Sequence, residues 1–190
     1  KDLFISNGIR REINHRDFFN DIKLRPMSSD SLLYYTEQMP SEAIANFTFQ
    51  NNSDLTFTDV TESWGLDQKN FSNGATYSDL DNDGDLELIV NNVDQEAQIY
   101  RNNSTNNFIK VKLKGSDQNL IGIDSRVFVK TPNNSQMQEL TLSRGFQSSV
   151  STYLNFGLGD ESIIESVKVV WPNGNSEQLN NEIGRAVQQE

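Results

Sequence analysis

Nine residues constrain this chain more than any others: Asp79-Leu80-Asp81-Asn82-Asp83-Gly84-Asp85-Leu86-Glu87. Acids stand at positions 1, 3, 5, 7 and 9 of the stretch, with glycine at position 6. No basic residue lies between Lys69 and Arg101, whereas seven carboxylates do: Asp79, Asp81, Asp83, Asp85, Glu87, Asp94 and Glu96. Like charges at ~4–6 Å repel and raise one another's pKa. A divalent cation among them removes that cost, and a solvated acidic turn without an ion is the plainer alternative.

The donor types select the ion. Every candidate ligand is an oxygen, the only histidine is His15, and there is no cysteine. Zinc and copper therefore fit poorly. Ca²⁺ accepts six to eight oxygens in irregular geometry, whereas Mg²⁺ demands an octahedron. The pattern predicts Asp79, Asp81, Asp83 and Glu87 as side-chain ligands and Asp85 as a ligand through its carbonyl. Gly84 permits the bend. An EF-hand is excluded: its bidentate glutamate belongs at position 12, which here is Val90 within an apolar run. The loop closes at Glu87, so the ion is expected at the tip of a hairpin formed by residues 74–78 and 86–90.

The rest of the chain reads as mainly β. Its 190 residues allow one or two domains. Apolar alternation recurs around Thr48 and Thr56, and at residues 97–101, 108–113, 126–130, 139–142, 153–156 and 167–171. Asn-rich turns punctuate these runs. Residues 172–174 (Pro-Asn-Gly) suit a turn, with 176–179 returning as a hairpin partner. Between residues 15 and 38 the apolar spacing lengthens to three or four. Two short helices are expected there, split by Pro26 and stopped before Pro40, with residues 28–30 offering N-caps. Asp2 to Asn7 parallels Glu87 to Asn92, an acid followed by three apolar and then polar residues. This predicts an internal repeat, with the chain beginning inside an earlier copy.

Asp-x-Asp-x-Asp-Gly-x-x-acid followed by Leu88-Ile89-Val90-Asn91-Asn92 resembles an FG-GAP (VCBS) repeat of integrin-type β-propellers. Asn73-Gly74-Ala75, Ile99-Tyr100-Arg101-Asn102-Asn103, Phe57-Thr58-Asp59-Val60-Thr61 and Gly65-Leu66 are also similar to it. Glu87 departs from the aspartate usual at position 9. The C-terminal part resembles the ASPIC/UnbV domain of secreted proteins similar to cartilage acidic protein. The matching residues are Gly122, Arg126-Val127, Gly145-Phe146, Ser148, Phe156-Gly157-Leu158-Gly159 and Val169-Val170-Trp171-Pro172-Asn173-Gly174; Asp124-Ser125 departs. The resemblance implies partial propeller blades over residues 1–114, with a helical insertion at about 9–45, and a β-sandwich-like domain over 115–190.

The functional expectation is a non-catalytic Ca²⁺-binding module, secreted or on a bacterial cell surface, that recognises an extracellular protein or glycan. The competing expectation is an accessory or catalytic part of a polysaccharide-handling system. Net charge of −11 argues against nucleic acid as a partner, because no basic field holds phosphates. No apolar run reaches membrane-spanning length. One histidine supports no Ser/His/Asp reading, and a capping or surface role is expected for it. Five acids in one turn do not resemble the two unlike carboxylates of a glycosidase cleft. Trp171 is expected to pack at a core edge rather than stack on a sugar, and Trp64 to pack beneath a sheet. Asn-x-Ser/Thr triplets at Asn46, Asn51, Asn70, Asn102, Asn103 and Asn133 are expected in exposed turns.

Overall fold

The computed structural model describes residues 1–8, 10–25, 28–116 and 118–183. In chain order its elements are β1 (Leu3–Ile5), α1 (Arg16–Lys23), α2 (Ser29–Glu37), β2 (Ile44–Ala45), β3 (Phe47–Asn51), β4 (Phe57–Asp59), β5 (Lys69–Asn70) and β6 (Ser72–Ser78). They continue with β7 (Glu87–Asn92), β8 (Gln98–Tyr100), β9 (Asn107–Lys112), β10 (Arg126–Lys130), β11 (Ser135–Glu139), β12 (Ser143–Gly145) and β13 (Ser148–Ser149). The last three are β14 (Tyr153–Gly159), β15 (Ile163–Val170) and β16 (Ser176–Ile183). The protein is mainly β, built of several small sheets, with no closed barrel among the described residues. No helix among them is long and apolar enough to cross a membrane. Two compact units divide the chain: Lys1–Ala75 with Val90–Gln98, and Thr76–Ile89 with Ile99–Glu190. Strands β6, β7 and β8 are bonded in that order.

The first unit holds both helices. His15 caps α1, its Nδ1 accepting the Phe18 N–H at 3.1 Å. Asp17 in the first turn and Lys23 in the last complement the helix dipole. Ser28 caps α2 through a reciprocal capping box with Ser31. The break expected at Pro26 lies outside the described residues. Strands β1, β3 and β4 form one antiparallel sheet, with Ile5 opposite Phe47 and Asn51 opposite Phe57. A tight turn follows, in which Trp64 donates to the Val60 carbonyl at 2.9 Å. Trp64 is 47% exposed there, so it does not pack beneath a sheet.

A polar network, not an apolar one, fills the middle of this unit. Asn46 is 2% exposed and Ser72 is fully buried. Asn46 donates to the Ser72 hydroxyl at 3.0 Å, and that hydroxyl donates to Asn92 Oδ1 at 2.8 Å. The Ser72 N–H donates to Asn7 Oδ1 at 2.9 Å, while the Asn7 amide donates to the carbonyls of Ile44 and Asn70. Asn70 in turn donates to Gln98. Asn46 and Asn70 are therefore interior bridges and not exposed turn residues, which corrects the reading of their triplets. Asn7 and Asn92 each bond Ser72.

The second unit has two main sheets, β11-β10-β15-β16 and β14-β9. Their inward residues form one core: Ile109 and Leu113, Val127 and Val129, Leu154, Phe156 and Leu158, with Leu140, Ile164 and Val167. Strict alternation in β10 and β14 explains this, since every second side chain shares a face. The hairpin β15–β16 pairs Val170 with Ser176, and Gly174 donates back to the Trp171 carbonyl to close its turn. One strand differs from expectation. Of residues 139–142 only Glu139 is in a strand, as the end of β11, which lies earlier and is polar. Its half-buried residues are Gln136 and Gln138, whose amides donate to the carbonyls of Gly157 and Asn155, while Met137 is 48% exposed. Hydrogen bonds replace apolar burial there, so hydropathy gave no signal.

Replacing Ser72 by alanine strands the Asn46 amide and the Asn92 carbonyl inside the first unit. Two unmet buried polar groups cost about 2–4 kcal/mol. The Ser72→Ala protein is expected to unfold at correspondingly lower urea concentration, and an unchanged midpoint would show that the network is slack.

Candidate metal centre

The acidic loop joins β6 to β7 at a hairpin tip, within the second unit. Two left-handed residues make its turn, Asn82 at φ 61° and Gly84 at φ 100°. Asparagine tolerates that region; Gly84 is required there for a second reason. A Cβ at Gly84 would lie 1.8 Å from a ring carbon of Phe108, so the loop backbone is pressed against an aromatic ring of β9.

The five acids divide into two roles. Asp81, Asp83, Asp85 and Glu87 each bring a carboxylate oxygen within 4.8 Å of the others. Asp79 lies outside this group of four, although one of its carboxylate oxygens is likewise buried with no hydrogen-bond partner among the described residues. Its carboxylate is only 4% exposed, pairs with the Lys110 ammonium from β9, and accepts the Gly84 N–H at 2.9 Å. Glu87, the first residue of β7, is 3% exposed. One of its oxygens accepts the Leu80 N–H at 2.8 Å. The other is buried with no hydrogen-bond partner among the described residues, and so are both carboxylate oxygens of Asp85. Asp85 thus enters the cluster by its side chain, where the sequence pattern pointed to its carbonyl.

The electrostatics follow from this crowding. Loss of solvent pushes the Asp85 carboxyl up from 3.8 to about 6, and the neighbouring Asp83 and Glu87 carboxylates add to the rise. Asp83 is held below the usual range, chiefly by the Asp85 N–H. Arg101, just after β8, reaches Asp81 at 3.0 Å. Both partners are well exposed, so this contact is worth at most about 1 kcal/mol and yields readily to a stronger cation. Lys110, Arg101 and Phe108 escaped the sequence reading because all three lie beyond the loop's own hairpin. The only local hint was the alternation of Phe108, Lys110 and Lys112 on one face of β9.

The donor set fits a hard divalent cation. It offers oxygens only, carries excess negative charge, and leaves inward oxygens without donors. Oxygens on opposite sides of a Ca²⁺ stand about 5 Å apart at ordinary bond lengths, which the cluster's spacing matches.

Gly84→Ala is expected to destabilise the second unit by about 3 kcal/mol or more, combining a positive φ with displacement of Phe108; a wild-type melting curve would contradict the packing. A second expectation concerns pH in the presence of chelator. The folded Asp85 holds its proton more tightly than the unfolded chain does. Its stabilising contribution is therefore complete below pH 3.8 and is lost as pH rises towards about 6. Urea midpoints measured across that window should fall for the wild type and fall less for Asp85→Asn.

The family model described as ASPIC and UnbV matches residues 115–187. The match spans β10 to β16 and leaves outside it both the acidic loop and β9, the strand paired to β14 in the same core. No curated protein matches the chain. The C-terminal portion, from the segment after β9 onward, is thus similar to the ASPIC and UnbV family.

Proposed function

We propose that this chain is a non-catalytic, Ca²⁺-stabilised recognition module that works outside the cell. The observation that carries the reading is the Glu87 carboxylate, buried to 3% exposure with one oxygen lacking any donor among the described residues, beside three other carboxylates. A buried anion without a partner costs several kcal/mol unless a cation meets it. Asp81, Asp83, Asp85 and Glu87 would hold the ion, with water completing six to eight oxygens. Asp79, neutralised by Lys110, would set the loop's shape and stand behind the ligands. Extracellular Ca²⁺ is millimolar, which fills even a site of modest affinity.

The finer architectural reading is a blade of FG-GAP type around β6, β7 and β8, with the ion at its β6–β7 tip. Its support is the loop pattern, the three-stranded order and the matched roles of Asn7 and Asn92. The partner class is an extracellular protein or glycan.

Occupancy at about one hundred times the dissociation constant stabilises by about 2.7 kcal/mol. For a chain of this size EDTA should lower the melting temperature by about 5–10 °C, and added CaCl₂ should restore it. Asp83→Ala should melt identically with and without chelator. Superimposable wild-type curves in EDTA and in millimolar Ca²⁺ would refute the reading.

A further inference from the structure

The second unit has a groove that nothing so far employs. Two cavities, of about 360 Å³ and about 370 Å³, share Lys114, Trp171 and Glu177 in their walls. The first is completed by amide side chains, among them Asn119, Asn173 and Asn175. The second runs between β9 and the β15–β16 hairpin and is apolar, walled by Ile109, Val111, Leu113, Val167, Val169 and Leu179. Trp171 stands where they meet.

The indole is held in place. Its N–H donates to Glu177 Oε1 at 2.9 Å. Beneath it lies Gly122, at φ 72°, where a Cβ would stand 3.0 Å from both the indole and Leu113. The ring rests on bare backbone and cannot settle further into the core. This extends the expectation of a core-edge tryptophan: Trp171 packs against the core and also faces open space on both sides.

The surrounding chemistry narrows the ligand. Lys112 borders the groove, but its ammonium lies 5.5 Å from the Tyr153 ring centroid and is held there. One cation, Lys114, and one anion, Glu177, remain beside Trp171 and balance each other. Neither a polyanion nor a polycation is favoured by that pair. The Asn175 side chain and the Lys114 ammonium have no hydrogen-bond partner among the described residues. Amides both donate and accept, as hydroxyl groups require. A rigid aromatic platform flanked by such groups suits a ring with an apolar C–H face and polar edges.

We propose that this groove is a carbohydrate site, with Trp171 as the platform for a pyranose ring of a neutral glycan and Asn175 and Lys114 as contacts to its hydroxyls. The proposal deepens the recognition role argued above and rests on it, while the site itself is separate from the acidic loop.

The chain has two tryptophans, so Trp64→Phe leaves Trp171 as the sole indole reporter. Cellohexaose, mannohexaose and xylohexaose would be titrated into that protein in millimolar Ca²⁺, with a heparin hexasaccharide as the polyanionic control. At least one neutral sugar should shift the Trp171 emission saturably, and heparin should not. In calorimetry on the otherwise unaltered chain, Trp171→Ala should weaken that sugar by at least about tenfold. Asn175→Ala, an exposed change that disturbs no described side-chain contact, should weaken it about two- to tenfold with an unchanged melting temperature. Absence of any saturable shift, or equal affinity in wild type and Asn175→Ala, would overturn the proposal. Melting in EDTA, run in parallel, keeps the two readings apart. Sugar binding without a chelator effect supports the groove and sinks the ion; a chelator effect without sugar binding does the reverse.

Discussion

Everything around the acidic loop depends on how β9 receives it. Asp79 is buried against Lys110, and Gly84 lies against the Phe108 ring. Phe108 and Lys110 are alternate residues of one strand, so they project from the same face. The pair therefore acts as a two-point clamp, one contact ionic and one steric. The ionic contact alone would be a weak basis for stability, because burying both charges costs nearly what their attraction returns. Its worth lies in register: only one placement of the hairpin tip puts a carboxylate at Lys110 and a glycine at Phe108 together.

Charge then sets what the clamp can hold. Lys110 neutralises Asp79 and Arg101 partly covers Asp81 and also favours the charged form of Asp83, but Asp83, Asp85 and Glu87 form no salt bridge among the described residues. Proton uptake by Asp85 is one way to relieve them; its pKa is raised chiefly by loss of solvent, with the neighbouring carboxylates adding to the rise. A divalent ion is the other way, and it relieves all three at once. If an ion binds as proposed, pH and cation would act on the loop with opposite preference: protons favour the neutral acid, the ion the carboxylates.

Sequence pattern located what is local and apolar. The runs around Val127 and Phe156 became strands because alternate burial is written directly into alternate hydropathy, whereas β3 reverses it, burying Thr48 and exposing Phe47. The hairpin tip was equally legible, since its acids are contiguous. What escaped is what polar groups do at a distance. Ser135 to Glu139 forms a strand whose half-buried residues are glutamines, an arrangement no hydropathy window detects. Asn46 and Asn70 read as surface acceptors, yet they bridge Ser72 and Gln98 from far along the chain. Lys110 lies more than twenty residues beyond the carboxylate it serves. Asparagine-rich composition concealed the difference between an amide in a turn and an amide in a core, because both need partners and only the fold supplies the second kind.

Strand β9 links these observations. Its outer residues, Phe108 and Lys110, hold the acidic loop; its inner residues, Ile109 and Val111, with Leu113 just after it, enter the core and wall the groove beside Trp171. Alternation forbids any one of these side chains from touching both places. The loop and the groove can influence each other only through the position of the β9 backbone, which is itself fixed by pairing with β14 from Asn107 to Lys112. A strand so anchored moves little when a hairpin tip gains or loses an ion. Occupancy of the loop should therefore govern how long the second unit survives unfolding, while leaving the shape of the groove in the folded molecule nearly constant. Stability and recognition would then be separable properties of the two faces of one strand, carried by residues that alternate along it.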